Sequence, residues 1–280
     1  MREIHVDQII KTVRQMCIDA NCNLNQDVEK ALQCGLKHET TPIAKSMLTD
    51  ILANADIARK EQMPICQDTG MAVFFLQLGQ DVHITGGSLK DAINEGVRQG
   101  YADGFLRKSV VLDPVRRGNT GDNTPAVIHT EIVDGEALTM TLAPKGFGSE
   151  NMSAIKMCKP SEGLDGIIDF VVDTVKNAGA NPCPPLVVGV AIGGTFEKCA
   201  CLAKSALLRD VDSKNPDPYY AELEQVLLEK INALDIGPQG FGGITTALGV
   251  NVETYPTHIA GMPCAVNINC HVTRHITEVI

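Results

Sequence analysis

Apolar side chains recur at helical spacing over the first sixty residues. Intervals of three and four separate most of the apolar positions near the N-terminus, which are Ile4, Ile9, Ile10, Val13, Met16 and Cys17. This period predicts a helix. Further along the chain, Thr41 followed by Pro42 is typical of an N-cap and the first residue of a helix. Because this helix is expected to end before Met63-Pro64, we predict a helical N-terminal portion over about residues 1–62.

Beyond that portion the pattern alternates between helix-like and strand-like stretches. Apolar runs predict buried strands over residues 71–79 and 186–194. Helical periodicity predicts helices over 88–103, with Ser88 as N-cap, and near 163–178, 196–209 and 218–234. Residues 113–125 are too rich in glycine, proline and asparagine for anything but a loop. The tail, 237–280, alternates glycine-rich turns with short strands.

The segment around Asp134-Gly135 has the strongest hairpin signal in the chain. The pair stands between the β-prone runs AVIHTEIV and EALTMTLAP, which predicts two adjacent antiparallel strands. Helices and strands alternate irregularly, so we predict a mixed α/β (α+β) fold with a mixed sheet flanked by helices. We expect a single domain over residues 1–280, with the mixed α/β portion at about 63–280.

Charge and composition exclude several classes of protein. The formal net charge of the 280-residue chain is −10, which argues against nucleic acid and anionic membranes as partners. No apolar run approaches the roughly 18 residues that span a bilayer, and the N-terminus lacks the apolar core of a signal peptide. We therefore expect a cytoplasmic protein with mostly reduced cysteines.

Cysteine is the unusual residue, with ten in the chain. No C-x-x-C pair is present, which argues against a thioredoxin-type centre or zinc ribbon, and no phosphate-binding glycine motif is present. Cys199 and Cys201 fall within a predicted helix and are interpreted as structural. By contrast, Cys66, Cys183 and Cys270 lie in loops or at strand ends. Three thiolates from distant segments suit an iron–sulfur cluster, although the residues alone favour a reduced structural thiol at each position.

Several longer strings carry a specific resemblance. The chain resembles the class I, iron–sulfur-dependent fumarate hydratases and L-tartrate dehydratases, and in particular the α subunit of their two-subunit forms. The strings are PICQDTG at 64–70, LRKS at 106–109, APKGFGSEN at 143–151, NPCPPLVVGVAIGGT at 181–195, GFGGITTALGV at 240–250 and YPTHIAGMPCAVNINCHVTRH at 255–275. The resemblance implies the N-terminal-domain fold of class I fumarases.

The same resemblance implies a cofactor and its ligands. The family's three ligands to a [4Fe–4S] cluster fall on Cys66, Cys183 and Cys270. One iron of that cluster has no protein ligand and binds substrate, so it can polarise the departing hydroxyl as a Lewis acid. No role is implied for the remaining cysteines, which are Cys17, Cys22, Cys34, Cys158, Cys199, Cys201 and Cys264. Lys145, Arg274 and His275 lie in the matching strings without an assigned role.

Pocket residues of the family fall on Gln67, Asp68, Arg107, Gly148 and His258. Asp68 could transfer a proton on the oxygen side of the reaction, and His258 could hydrogen-bond a substrate carboxylate. Arg107 could bind a carboxylate bidentately, and backbone N–H groups near Gly148 could face an anion. Four of these residues have a plainer interpretation: an Asx-turn aspartate, a surface arginine, a tight turn and a structural histidine.

These implications predict a hydro-lyase subunit that dehydrates a small hydroxy-dicarboxylate. (S)-Malate to fumarate, a reaction of the tricarboxylic acid cycle, is the first interpretation, and L-tartrate to oxaloacetate is the alternative. Single-chain relatives continue into a further domain that supplies more catalytic groups, so the resemblance implies a separate β subunit and a hetero-oligomer. A non-catalytic iron–sulfur module and a thiol redox protein are the remaining alternatives.

Overall fold

A computed structural model describes all 280 residues. The helices are α1 (Val6–Cys22), α2 (Gln26–His38), α3 (Pro42–Glu61), α4 (Leu89–Asp103), α5 (Phe147–Glu150), α6 (Gly163–Ala178), α7 (Phe196–Ala206) and α8 (Pro218–Asn232). The strands are β1 (Arg2–His5), β2 (Met71–Gly79), β3 (Val82–Thr85), β4 (Val127–Val133), β5 (Leu138–Lys145), β6 (Ala154–Cys158), β7 (Leu186–Gly193), β8 (Ala247–Tyr255), β9 (Met262–Asn269) and β10 (Ile276–Val279). The predicted mixed α/β class is confirmed.

Two compact units make up the chain. The first unit comprises Met1–Leu24, Asn54–Phe147 and Arg274–Ile280, and the second comprises Asn25–Ala53 and Gly148–Thr273. Each unit is therefore built from segments that are distant in sequence. The single-domain organisation over residues 1–280 stays a prediction.

The first unit consists of a four-stranded sheet covered by helices. Its strand order is β10-β5-β2-β4, and β1 pairs in parallel with β3 in a separate two-stranded sheet. Helices α1 and α4 approach closely because α4 has glycine at the contact: a Cβ on Gly96 would lie 2.6 Å from Val13 Cβ. The core of this unit includes Ile9, Phe74 and Ile93, all fully buried.

The predicted hairpin is wrong in its pairing, although both strands exist. Strand β2 lies between β4 and β5, pairing in parallel with β4 and antiparallel with β5. The Asp134-Gly135 turn therefore connects strands on either side of β2. Local turn chemistry predicts that the chain reverses, but the long-range insertion of β2, whose Phe74 and Leu76 are buried, decides the pairing.

A four-stranded sheet also forms the second unit, in the order β6-β9-β7-β8. Every residue of β7 except Ile192 is buried. Val188 and Val190 pack in the cluster that includes α6 and α8 residues, whereas Ala191 packs with Cys199 and Ala203 of α7. Both faces of β7 are covered, which explains its continuous apolar run.

Most predicted helices have the expected bounds and caps. Ser88 Oγ accepts a hydrogen bond from Asp91 N–H, and Thr41 Oγ1 accepts one from Ala44 N–H at 3.3 Å, so both predicted caps are confirmed. Ile4 lies in β1 rather than in the N-terminal helix, because residues 2–5 pair with β3. No helix has both the length and the apolar character needed to cross a membrane.

Candidate active site

A turn carrying Cys66, Gln67 and Asp68 leads directly into β2. Gly70 N–H donates to Asp68 Oδ1 at 3.0 Å, which forms the Asx turn considered from the sequence. The other carboxylate oxygen, Oδ2, accepts a hydrogen bond from Phe147 N–H at 2.9 Å. Asp68 N–H lies 3.4 Å from Cys66 Sγ. The Asp68 carboxylate is thus held in one orientation on the turn that bears Cys66.

Two side chains from elsewhere in the first unit fasten the backbone of this turn. Arg274 Nη2 donates to Asp68 O at 2.6 Å. The buried Tyr101 hydroxyl lies 2.8 Å from Thr69 O and 3.0 Å from Gly70 O. Burial raises the pKa of Tyr101 well above its usual range, so this hydroxyl remains a donor at neutral pH. The carbonyls of the turn are therefore occupied by donors from α4 and from the C-terminal segment.

Asn123 links the same turn to the segment that follows α4. Its side chain is fully buried, its Nδ2 donates to Gly70 O at 3.1 Å, and its Oδ1 accepts from Ser109 N–H at 2.7 Å and Val110 N–H at 3.2 Å. The backbone immediately after Arg107 is therefore fixed relative to the turn.

Arg107 and Gln67 have exposed side chains on this fastened framework. The Thr69 hydroxyl donates to Arg107 O at 3.0 Å, so the backbone of the arginine is fixed while its guanidinium remains accessible. This combination suits the predicted binding of a substrate carboxylate. The first unit thus brings together Cys66, Gln67, Asp68 and Arg107 from the predicted site.

In the second unit, His271 joins the loops that carry Cys183 and Cys270. His271 N and Nδ1 lie 3.4 and 2.9 Å from Cys183 O. Gln239 strengthens the junction, because its backbone N–H and Nε2 both donate to Pro184 O at 2.8 Å. Gln239 Nε2 also lies 3.1 Å from His271 Nδ1. Two of the predicted ligands are therefore presented by loops that are hydrogen-bonded to each other.

Cys183 has an unusual backbone conformation. Its φ is +54°, in the left-handed region that non-glycine residues seldom occupy. The residue is exposed, and prolines stand on both sides of it. Such a conformation persists where its surroundings determine it, and it is concentrated at functional sites.

Gly148 and His258 also belong to the second unit but lie in different settings. A Cβ added to Gly148 would meet only Asn181 O, at 3.7 Å, so this glycine lies close to the Cys183 loop. His258 lies in an exposed turn after β8, where its Nδ1 accepts from Ala260 N–H at 3.2 Å. A neutral His258 ring therefore carries its proton on Nε2. The catalytic role of His258 stays a prediction.

Burial divides the ten cysteines. Five of the thiols are buried, and they belong to Cys17, Cys22, Cys158, Cys199 and Cys264. Burial raises the pKa of each of these thiols, and it raises the pKa of Cys199 to about 11. Formation of a thiolate is opposed at each of them. The predicted ligands Cys66, Cys183 and Cys270 are not buried, and neither are Cys34 and Cys201. Exposure alone therefore does not single out the ligands.

The donor chemistry of the predicted ligands fits an iron–sulfur cluster, which prefers thiolates. Each of the three thiols is accessible and stands on a segment held by hydrogen bonds. Neither unit by itself gathers three histidine, cysteine, aspartate or glutamate side chains that could hold a metal ion. The ligand set stays a prediction.

The sequence predicted no role for the residues that hold the Cys66–Asp68 turn in place. Asn123 is fully buried within a segment predicted only as a loop, and Arg274 was named without a function. A buried asparagine beside Asp122 and Thr124-Pro125 gives no sequence signal that distinguishes it from an exposed loop residue. His271 is adjacent to Cys270, and its position next to a predicted ligand is the one available signal.

Comparison with known proteins defines the class. A family model described as fumarate hydratase (Fumerase) matches residues 10–279, nearly the whole chain. The chain belongs to this family, so the predicted resemblance is confirmed and the protein is a hydro-lyase.

Two relatives are similar to this chain over nearly its whole length. A Methanocaldococcus jannaschii protein named "Putative L(+)-tartrate dehydratase subunit alpha" is 41% identical over 273 residues, which are 95% of this chain and 95% of that protein. The L(+)-tartrate dehydratase subunit alpha of Escherichia coli strain K12 is 31% identical over 278 residues, which are 98% of this chain and 91% of that protein. Both relatives are named as α subunits.

Proposed function

We propose that this chain is the α subunit of an iron–sulfur-dependent hydro-lyase that dehydrates L-tartrate to oxaloacetate. The observation that carries the proposal is the match to the family over residues 10–279, combined with accessible thiols at all three family ligand positions. The names of the relatives favour tartrate over malate, which was the first interpretation of the sequence. Malate remains the second candidate because the family model is described as fumarate hydratase.

Cys66, Cys183 and Cys270 would hold the [4Fe–4S] cluster. When bound, the cluster supplies Lewis-acid polarisation of the substrate hydroxyl. The exposure of Cys183 and its left-handed backbone support its place in the ligand set. Cys270 is supported by its neighbour His271, which hydrogen-bonds the Cys183 carbonyl.

Asp68 has the chemistry to take or give a proton on the oxygen side of the reaction. Each of its carboxylate oxygens already accepts one backbone N–H. A carboxylate oxygen has a second lone-pair site, so each can still accept a substrate or water proton. The two N–H bonds hold the carboxylate in place and save the cost of orienting it during the reaction.

Arg107 and Gly148 would contribute to binding of the dicarboxylate. The Arg107 guanidinium is exposed on a fixed backbone and can form two parallel hydrogen bonds with one carboxylate. Gly148 leaves its backbone uncovered, with only Asn181 O within 4 Å of a Cβ placed on it. Gln67 and the Nε2–H of His258 offer further donors to an anion.

The partner would be a β subunit that completes the active site. Both relatives carry the word subunit in their names, and this chain covers more than nine tenths of each. We infer that the group that removes the C–H proton comes from that partner, because the single-chain relatives that this sequence resembles supply further catalytic groups from a domain beyond the part that this chain matches.

Side-by-side assays test the substrate assignment. The chain is co-expressed with its partner subunit, purified anaerobically and assayed with L-tartrate and (S)-malate at equal concentrations. We expect a higher kcat/KM for tartrate. A higher kcat/KM for malate would restore the first interpretation, and turnover of neither substrate by a cluster-loaded complex would contradict both.

A further inference from the structure

Arg274 is a buried arginine with most of its donors unmet. Only 4% of its surface is exposed, and its one hydrogen bond runs from Nη2 to Asp68 O at 2.6 Å. The buried Nε and Nη1 atoms have no hydrogen-bond partner. Since arginine stays charged in proteins, a full positive charge is buried with the Asp68 carbonyl as its one hydrogen-bond acceptor. This arrangement is costly unless something compensates the charge.

The groups around Arg274 do not supply that compensation. Burial, the larger effect, raises the pKa of Tyr101 and of Cys22, although the charge of Arg274 acts in the opposite direction on both. Both groups are therefore neutral at pH 7. The Asp68 carboxylate is directed instead to the N–H groups of Gly70 and Phe147. The guanidinium hydrogen-bonds the backbone of the turn and forms no ion pair with the Asp68 carboxylate.

We propose that Arg274 is a positioning residue that holds the Cys66–Asp68 turn through the Asp68 carbonyl and places a fixed positive charge behind it. That charge would balance the negative charge that arrives when Cys66 becomes a cluster ligand. The second half of this inference rests on the proposed function. The first half rests only on the hydrogen bond to Asp68 and on the burial of the guanidinium.

Hydrogen exchange in the cluster-free chain tests the positioning. Arg274→Met removes the donor and the charge while keeping a long apolar side chain, and Arg274→Lys keeps the charge and an ammonium group that can still donate. We expect the Gly70 and Phe147 amides to exchange at least tenfold faster in the Met variant and less than threefold faster in the Lys variant. Unchanged exchange of both amides in Arg274→Met would overturn the positioning role.

A matched control separates local from general effects. Arg14, in the same unit, forms an ion pair with Asp103 at 2.6 Å on the surface. Arg14→Met should leave the exchange of the turn amides unchanged. If the Met variant of Arg274 does not fold, Arg274→Gln takes its place, because the glutamine amide carries no charge and ends two bonds short of the Nη2 position, so the bond to Asp68 O is lost as well. Global unfolding of the Gln variant too, while Arg14→Met folds, would assign Arg274 to general stability and overturn the inference.

The potential of the reconstituted cluster tests the charge. Potentiometric titration followed by electron paramagnetic resonance measures the midpoint potential of wild type, Arg274→Gln and Arg274→Lys. Loss of a nearby positive charge makes reduction harder, so we expect a more negative potential in the Gln variant and a near wild-type value in the Lys variant. Equal potentials in all three would overturn the charge role.

The hydrogen-exchange experiment can fail independently of the proposed function, whereas the potential measurement depends on it. If the wild-type chain binds no cluster, the proposed function fails and the charge role falls with it. The exchange of Gly70 and Phe147 still decides whether Arg274 positions the turn.

Discussion

Asp68 has a structural role in the turn and also a proposed role in proton transfer. Its carboxylate closes an Asx turn with Gly70 and also binds Phe147 N–H. The plain interpretation from the sequence and the family role therefore do not exclude each other. The same hydrogen bonds that shape the turn fix the carboxylate to which we assign proton transfer.

Substitution of Asp68 should affect turnover more than cluster content. Asp68→Asn removes the group proposed to transfer a proton and replaces one acceptor oxygen with a donor. We expect kcat with the partner present to fall by about 10²–10⁴-fold, the usual contribution of a general acid or base. Iron content, measured by chemical analysis, should stay near the wild-type value.

Asp113 offers the matched control for this substitution. Its Oδ1 also accepts backbone N–H groups, from Val115 at 2.9 Å and Arg116 at 2.6 Å, in a turn outside the predicted site. Asp113→Asn should retain most of the activity. Equal activity in the two variants would reassign Asp68 to the turn alone.

Cysteine substitution distinguishes the ligands from other accessible thiols. Cys183→Ser should prevent cluster assembly while the far-ultraviolet circular dichroism stays unchanged, because the side chain is exposed and fills no core. Cys34→Ser is the control, since Cys34 is also exposed but lies outside the matching strings. A full cluster in Cys183→Ser, or its loss in Cys34→Ser, would refute the assigned ligand set.

At the scale of elements, the turn before β2 depends on a glycine. Gly70 has φ +78°, and a Cβ there would lie 2.7 Å from the backbone N of Lys145. The turn can therefore approach the end of β5 only if residue 70 has no side chain. The close approach places Asp68 within reach of Phe147 N–H.

Gly70→Ala should lower the free energy of unfolding by about 2 kcal/mol or more, from the left-handed φ together with the steric clash. Denaturant unfolding of the cluster-free chain measures this change. Gly135→Ala is the control, because Gly135 also has a positive φ of +104° but no atom within 4 Å of its Cβ position. A loss no larger than that of Gly135→Ala would show that the close approach to Lys145 is unimportant.

Helices and strands with strong periodicity could be predicted from the sequence, whereas the strands that pair with each other could not. The bounds of β2 and α6 agree with the predicted 71–79 and 163–178. The predicted pairing of the two strands that flank Asp134-Gly135 is wrong, because β2, more than fifty residues upstream, lies between β4 and β5. Strand order depends on such long-range burial, which a local pattern does not contain.

At the scale of the whole molecule, the site could be predicted only through the resemblance. Spacing alone shows Cys66, Cys183 and Cys270 in loops, and the structure shows Cys34 and Cys201 to be accessible as well. Cys34 and Cys201 lie in α2 and α7, so loop position does set the other three apart. A loop position does not by itself make a thiol a ligand, however, and only the family strings assign that role. The fastening contacts of Asn123, Tyr101 and Arg274 reach across long sequence separations, so they were invisible before the fold was known.

Catalysis should require the partner subunit. We expect the isolated, cluster-loaded chain to show less than about 1% of the turnover of the complex, because loss of a catalytic proton-transfer group costs at least about 10²-fold. Titration of the loaded chain with purified partner, followed by the rate of tartrate consumption, measures this dependence. Full activity of the chain alone would contradict the assignment of the C–H proton to the partner.

The iron and sulfide content of the chain tests whether it holds an iron–sulfur cluster. The wild-type chain is reconstituted anaerobically with iron and sulfide, desalted and analysed for both elements together with its visible absorption. We expect about four irons and four sulfides per chain with thiolate-to-iron absorption, and we expect all three signals to be lost together in the serine variants of Cys66, Cys183 and Cys270. A wild-type chain that retains neither iron nor sulfide under these conditions would contradict the assignment of an iron–sulfur cluster to this chain.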